Sequence, residues 1–586
     1  MPWGGGCLNC TIESYIALRL LNVPKTDPTL QKARLFILSK GGIAESRMFT
    51  RICLALLGCY EWSSLPSLPP WLMLLPTWFP FNIYQTSSWA RATLVPLIPI
   101  AEKKLVFKFS ENLSFDELYT QERRVDYCFK TMEVLGLVPL RERSLNEVTR
   151  WLLARVEETG DFSAVYPAMF YSILYMNKVM GLDVADPILS KLLVALKRFF
   201  VETKDELVVQ ITLSPVWDTA FIVRSLLESG LQPDHPALQK AREWLLQKQV
   251  SLDGDWVYNV PSACGGRGWA FQFCNRWYPD VDDTACVVLA LNSVTLRDEE
   301  EKSSVTFTAE TEKCSAIRRA LDWIRHMQST PGGWGAYDKD NDKEWLNSTP
   351  VGDMKALIDP NTVDVTARVV EMVGRLKTEC TTASLCKFID AALTYLKCEQ
   401  EEDGCWFGRW GVNYIYGTAG ALIALALTSP RGSYDAEIRR GAKWLVQMQN
   451  KPGRMVPDRK TGKRGACAED GGWGETCSSY VDPKLRGWCN ASTASQTAWA
   501  LQGLLAAGDA LGEYEEDAIH LGVQCLLSTQ RGDGSWHEAY FTGTGFAGHI
   551  YLRYHMYAQH FSLSALSRYR RRVQNGKIRK SSWLKM

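Results

Sequence analysis

The sequence predicts an all-α protein built as two α/α barrels, and three observations carry that prediction. From Leu145 onward, apolar helical stripes such as 241–247 and 317–324 alternate with Gly-rich loops, and the period-two pattern of strands is almost absent. The loops repeat: Gln328…Gly332-Gly-Trp334, Gln400…Gly404-Cys-Trp406 and Gln530…Gly534-Ser-Trp536 all read Gln-x-x-x-Gly-x-Trp. At 586 residues the chain exceeds what one hydrophobic core usually supports. Gln249…Gly254-Asp-Trp256 reads as a further copy with one residue added. In another, Gln449…Gly453 is separated from Gly471-Gly-Trp473 by a basic insert, Arg454 to Asp470, expected to be an exposed excursion. The Trp residues recur about 60–80 positions apart, too far for the single helix pair of a simple solenoid, so paired helices packed in a ring are the economical arrangement. In such loops a Gln amide bonds free backbone groups at helix ends while the Trp ring covers it, a role that needs no ligand.

In chain order, Cys10–Leu21 is the first amphipathic helix, and helix-like segments follow through Tyr60. Trp62–Phe81 is apolar over a membrane-like length, but its prolines forbid a regular spanning helix. Two readings stay open: a Pro-rich loop packed on a helical domain, or a segment dipping into one leaflet through Trp71, Leu72, Trp78 and Phe79. The basic tail, Arg568 to Lys585 with Trp583, reads as a solvated disordered end or as a contact for anionic lipid.

The net charge of +1, with 22% charged residues, argues against a nucleic-acid binder built on a basic face. The 17 cysteines are scattered, odd in number and without a metal-ligand pairing, and no secretory leader begins at Met1, so a reduced intracellular compartment is expected. The conspicuous excess is aromatic, with several of the 22 Trp residues standing in Gly-rich loops.

The stretch Trp277-Tyr-Pro-Asp280-Val-Asp282-Asp283-Thr-Ala285 holds three carboxylates in four residues at the start of the apolar helix 284–291. One Asp there needs only capping, since it accepts orphan N–H groups and suits the helix dipole. Three crowded together cannot all be comfortably ionised, which forces a proton to be shared or retained. On these residues alone, capping and acid chemistry both stand.

Several Gln-Gly-Trp loops together with Asp-x-Asp-Asp resemble the triterpene cyclases, most closely the squalene–hopene cyclase branch of these class II terpene cyclases. The likeness runs from about Trp3 to Tyr569 and takes in Ser88-Trp89-Ala-Arg-Ala-Thr93, Ser214-Pro-Val-Trp217-Asp218-Thr219, 335–341, 407–417 and 540–546. Related cyclases that start from an epoxide carry a single Asp, in an Asp-Cys-Thr-Ala-Glu version that does not stand here. The resemblance implies two barrels, residues 1–211 and 212–586, with a hydrophobic cavity between them and the acid on the second. It implies proton-initiated cyclisation of squalene to a pentacyclic hopanoid, hopene or hopanol, without metal or redox cofactor. Asp282 would be the proton donor, Asp280 and Asp283 its partners, and Asp218, Asp364, Arg368 and Tyr416 the groups tuning the acid. The cation-stabilising lining would include Trp89, Trp217, Phe271, Tyr337, Trp410, Phe546, Tyr554 and Tyr557. Monotopic attachment to a membrane surface and a homodimer are implied as well.

The chemistry agrees with the residues. An unactivated alkene is a very poor base, so its protonation needs a strong acid held protonated in a dry pocket. Four departures from the family pattern stand out. Well-studied relatives have His where Arg368 stands, and a permanent guanidinium favours the carboxylate both before and after proton transfer. Ile550 replaces a Phe, removing one ring near the later cations. The loop expected near Glu157-Glu-Thr-Gly-Asp-Phe162 is degenerate. Bacterial relatives carry a stretch that would precede Met1, so the first barrel is expected to lack its first helices. The competing readings are a class II diterpene or other terpenoid cyclase, which shares Asp-x-Asp-Asp but starts from a diphosphate, and an inactive truncated membrane-surface paralogue. A zinc-dependent prenyltransferase finds no convincing Asp/Cys/His ligand set.

Overall fold

The computed structural model describes residues 6–66, 68–107, 114–120, 140–260, 267–294, 304–352, 354–376, 383–428, 432–457, 464–466, 468–489 and 491–580, with the side chains of 304–310, 383–387, 455–457 and 464–466 left aside. Among the described residues the chain is all-α, as expected, apart from three two-stranded antiparallel hairpins. It divides into two compact units: Met1–Leu213 with Asn341–Ile358, and Ser214–Asp340 with Asp359–Met586.

In the first unit, helices α1 (Leu8–Leu20), α2 (Pro28–Ser39), α3 (Met48–Leu56), α4 (Ser88–Glu102), α5 (Arg141–Arg155), α6 (Tyr166–Leu174) and α7 (Pro187–Lys197) pack around one core. Helix α4 packs against both α5 and α6. Pro96 and Pro99 lie inside α4 without ending it, and both are buried. The Pro-rich stretch makes only short 3-10 turns, Trp62–Ser64 and Pro70–Leu74, because proline removes the donors a long helix needs. Trp71 and Leu72 are half-buried against the unit, whereas Trp78 is 79% exposed. The segment Asn341–Ile358 docks here: the Ser87 hydroxyl and the Trp89 indole both donate to the Ala356 carbonyl, each at 2.7 Å. Among the scattered cysteines one pair does stand in Cys-x-x-Cys spacing. Cys7 is the N-cap of α1, Cys10 lies in its first turn, and the two thiols share a hydrogen bond.

In the second unit, six inner helices close a ring: α8 (Pro215–Ser229), α10 (Val281–Ser293), α12 (Val363–Arg375), α14 (Tyr414–Thr428), α16 (Ala494–Leu511) and α18 (Tyr557–Gln574), with α18 packing back on α8. Outer helices α9 (Pro236–Gln247), α11 (Ser304–Met327), α13 (Ala383–Cys398), α15 (Asp435–Met448) and α17 (Glu516–Thr529) alternate with them. Helices α10, α14 and α16 are apolar nearly all round, as buried helices must be, and every residue of 281–291 is buried.

The repeated loops rivet this ring. After each outer helix, the Trp indole donates to an orphan carbonyl of that helix's last turn: Trp334 to Ile324, Trp406 to Leu396, Trp473 to Leu445 and Trp536 to Leu526, at 2.6–2.8 Å. The Gln amide donates to the loop's own Gly carbonyl and to the next outer helix, as Gln400 does to Gly404 and Glu437. The loop's turn needs a left-handed residue, supplied by Gly404 at φ 99°, where a Cβ would also meet the Arg440 carbonyl at 2.7 Å.

The first copy corrects the sequence reading. Its rivet is Trp269, not Trp256: the Trp269 indole donates to the Leu245 carbonyl, and Gln249 bonds Arg267 and Ala316. An insert separates Gln249 from Gly268-Trp269, as one separates Gln449 from Gly472-Trp473, and spacing alone pointed to the nearer Trp. In the degenerate copy, Val156 and Phe162 stand where Gln and Trp belong, yet the turn survives, with Glu157 N–H donating to the Asp161 carbonyl at 2.8 Å. The insert after Gln449 forms a hairpin, Met455–Pro457 with Arg464–Ala466. The start of the basic tail is ordered rather than free, because α18 carries Arg568 onto Glu228 at 2.8 Å and Arg572 onto Asp509. Trp3, Trp583 and Lys585 lie outside the described residues.

Candidate active site

The acidic stretch is the first turn of α10. Asp280 is its N-cap, and Oδ1 accepts the Asp282 N–H at 2.7 Å and the Asp283 N–H at 3.1 Å. One carboxylate therefore closes the helix while two more leave its first turn, and all three are buried. Burial is the main force that raises them: Asp280 is pushed up to about 8, also by the charge of Asp282, and Asp282 up to about 6. Asp283 is raised well above the carboxylate range by burial and then by Asp280, Asp282 and Asp218. Its buried Oδ1 has no hydrogen-bond partner among the described residues, which suits a neutral carboxyl better than a carboxylate. Such a cluster retains a proton at neutral pH.

The neighbouring inner helices contribute their first turns. Asp218 of α8 is raised to about 6 by burial, and its Oδ2 accepts the Ser214 hydroxyl at 2.8 Å. Asp364 of α12 accepts the backbone N–H groups of Arg409 and Trp410 at 3.0 and 2.7 Å, which fixes the loop entering α14. One turn further along α12, Arg368 Nε donates to Asp282 Oδ1 at 3.1 Å and Nη2 donates to the Tyr416 hydroxyl at 2.8 Å. The guanidinium also lies 5.6 Å from the Trp217 ring and 5.0 Å from Phe221. It opposes the rise of Asp282, which is why that carboxyl is held lower than Asp280.

Four of the expected aromatic residues form one continuous group. Trp217 lies 6.3 Å from Phe271, Phe271 6.2 Å from Tyr554, and Tyr554 stacks on Tyr557 at 4.5 Å. The Trp217 indole donates to the Tyr557 hydroxyl at 3.0 Å. The Tyr337 phenol donates to Asp280, and Trp410 has the Arg409 guanidinium 4.7 Å from its ring. Phe546 sits half-buried on the strand Gly543–Phe546, and Trp89 belongs to the first unit.

Sequence reasoning missed three contributors. Trp499 of α16 bridges Tyr416 at 4.7 Å and Tyr557 at 5.9 Å. Asp359 accepts the backbone N–H groups of Ala336, Tyr337 and Asp338 and so holds the Tyr337 loop. A Thr near the start of four inner helices, Thr284, Thr366, Thr418 and Thr497, accepts the backbone N–H of the rivet Trp before it. That recurring Thr was a visible signal; Asp359 and Trp499 carried none. Within the ring lies a cavity of ≈ 50 Å³, bordered by Asp364, Arg368, Glu371, Tyr416, His560 and Arg568. It has room for a few water molecules and none for a long polyene.

The family profile described as the squalene-hopene cyclase C-terminal domain matches residues 213–461 and 463–571, and that of the N-terminal domain matches 1–205. The chain belongs to the squalene-hopene cyclase family. This cyclase is 56% identical to a dammaradiene synthase of Dryopteris crassirhizoma, over 98% of the chain and 84% of that protein. It is 39% identical to a squalene–hopene cyclase of Alicyclobacillus acidocaldarius, over 98% of the chain and 87% of the relative. With a squalene–hopene cyclase of Bradyrhizobium diazoefficiens the identity is 37%, over 96% and 83%. The chain is thus a triterpene cyclase.

Proposed function

We propose that this cyclase converts squalene by proton-initiated polycyclisation, with Asp282 as the donor and Asp280 and Asp283 as its partners. The observation that carries the reading is the buried carboxyl cluster at the start of α10, raised by burial and touched by the Arg368 guanidinium. Asp282 delivers its proton to a terminal alkene carbon; the alkene's electron pair forms the new C–H bond and leaves a cation that the next double bond captures. Arg368 stabilises the carboxylate left behind. Asp218, Asp364 and Tyr416 set the field around that acid. Trp217, Phe271, Tyr337, Trp410, Phe546, Tyr554 and Tyr557 of the second unit offer π-faces to the migrating charge, worth about 0.5–2 kcal/mol each. No step calls for a cofactor.

Loss of a proton from the last cation gives an isomer of squalene; capture of water gives an alcohol. A diene retains one double bond more than hopene and so has one ring fewer. Two observations favour this earlier stop over a pentacyclic hopanoid: the identity of 56% to the dammaradiene synthase, and Ile550 in place of a ring. Incubation of the purified protein with squalene is expected to yield a cyclic triterpene diene, and Asp282→Asn to reduce turnover by about a thousandfold or more. Unchanged squalene with the wild type, or an active Asn variant, overturns the reading.

A lipid-confined substrate also calls for monotopic attachment. No described helix is long and apolar enough to cross a membrane, and Trp78 and Phe79 are exposed. Vesicle co-sedimentation is expected to weaken in Trp78→Ser/Phe79→Ser, and undiminished binding contradicts this attachment.

A further inference from the structure

A guanidinium bonded to Asp282 works against the acid it touches, because it favours the carboxylate before any alkene has arrived. Arginine does not escape the conflict by losing its own proton. Helix α12 supplies a counterweight one turn beyond Arg368. Arg368 Nη1 lies 3.7 Å from Glu371 Oε2, so one guanidinium stands between two buried carboxyl groups. The other oxygen, Glu371 Oε1, accepts Arg224 Nη2 at 2.6 Å and Arg375 Nε at 2.8 Å, which fixes the Glu371 side chain in place.

We propose that Glu371 is a positioning residue that carries the charge of Arg368 while Asp282 is protonated, and that Asp282 becomes the second counter-ion once its proton has passed to the substrate. The inference rests on the assignment of Asp282 as the acid. Three Arg side chains share one Glu carboxylate, so the balance responds to the loss of any of them. The groups around the pair come from every neighbouring helix. Asp282 faces Asp280, Asp283 and Cys286 of the same helix start, Asp364, Arg368 and Glu371 of α12, and Tyr416 of α14, while Asp218 of α8 faces Asp283. Glu371 also faces Arg224 of α8 and Arg568 of α18, whose own partner is Glu228. His560 of α18 lies near Arg368 and Arg224, and burial presses its pKa down to about 3, so it adds no charge.

The test is the pH dependence of kcat with squalene in four proteins: wild type, Asp282→Asn, Glu371→Gln and Arg375→Gln. Removing the Glu371 charge lets Arg368 act on Asp282 alone, so the alkaline limb moves down by about one pH unit, a loss of about tenfold at a fixed pH on that limb. Removing Arg375 acts in the opposite sense and moves the limb up. A limb that stays put in both variants, or moves the same way in both, overturns the proposal even when kcat falls. If Glu371→Gln fails to fold, Arg375→Gln decides by itself, since its guanidinium lies at the partly exposed end of α12: an upward shift supports the role, and no shift or a downward one ends it. Activity surviving in Asp282→Asn removes the acid assignment instead; with activity lost there, opposite shifts of the two limbs support the role of Glu371.

Discussion

Three helices of this chain begin with the same device in different surroundings. Asp27 caps α2 by accepting the N–H groups of Thr29 and Leu30 at 2.8 and 3.4 Å, and Asp186 caps α7 through Ile188 and Leu189 at 2.8 and 3.3 Å. Asp280 caps α10 with the same pattern. The first two are half-buried and followed by proline; the third is buried, and the amides it accepts belong to two further aspartates. Capping geometry therefore does not separate a structural carboxylate from an acid. Burial and like-charged neighbours do, and they act on a side chain whose position the helix has already fixed.

The sharpest way to break that comparison is to remove charge and keep the cap. Asn accepts the same N–H groups, so Asp280→Asn is expected to cost under about 1 kcal/mol of stability while reducing squalene turnover by about a hundredfold. Asp27→Asn and Asp186→Asn are expected to leave turnover unchanged, as read by product formation beside thermal unfolding. Stability against pH sharpens the contrast. A carboxyl raised from 3.8 to about 8 imposes no penalty below the unfolded value, and the folded state loses stability as pH rises from there through about 8. The unfolding temperature should fall across that window in the wild type and less steeply in Asp280→Asn. The smallest expected effects lie in the rivets. Gln449→Ala removes the donor to the Gly471 and Ala518 carbonyls in a buried loop and is expected to cost about 1–3 kcal/mol. Gln530→Ala, in an exposed loop, should cost under about 0.5 kcal/mol in chemical denaturation.

What the sequence disclosed was what spacing encodes. The helical stripes, the Gln-Gly-Trp loops and the Asp cluster lie within short windows, and the ring of inner and outer helices follows from their alternation. Spacing misled at Trp256, because an insert moved the true rivet to Trp269. It was silent on Arg224 with Glu371 and on Asp359 with the Tyr337 loop, partners that meet only when different helices and loops pack together. The contact of Arg368 with Asp282 became legible only through the family resemblance, since 86 residues separate the two in the chain.

The central claim, that a carboxyl of the α10 first turn must hold its proton for the reaction to start, is tested most directly by kcat measured against pH at saturating squalene. The account predicts a plateau on the acid side and a decline as pH rises through about 6 to about 8, the window of Asp282 and Asp280. A rate that stays flat or climbs across that window would contradict it.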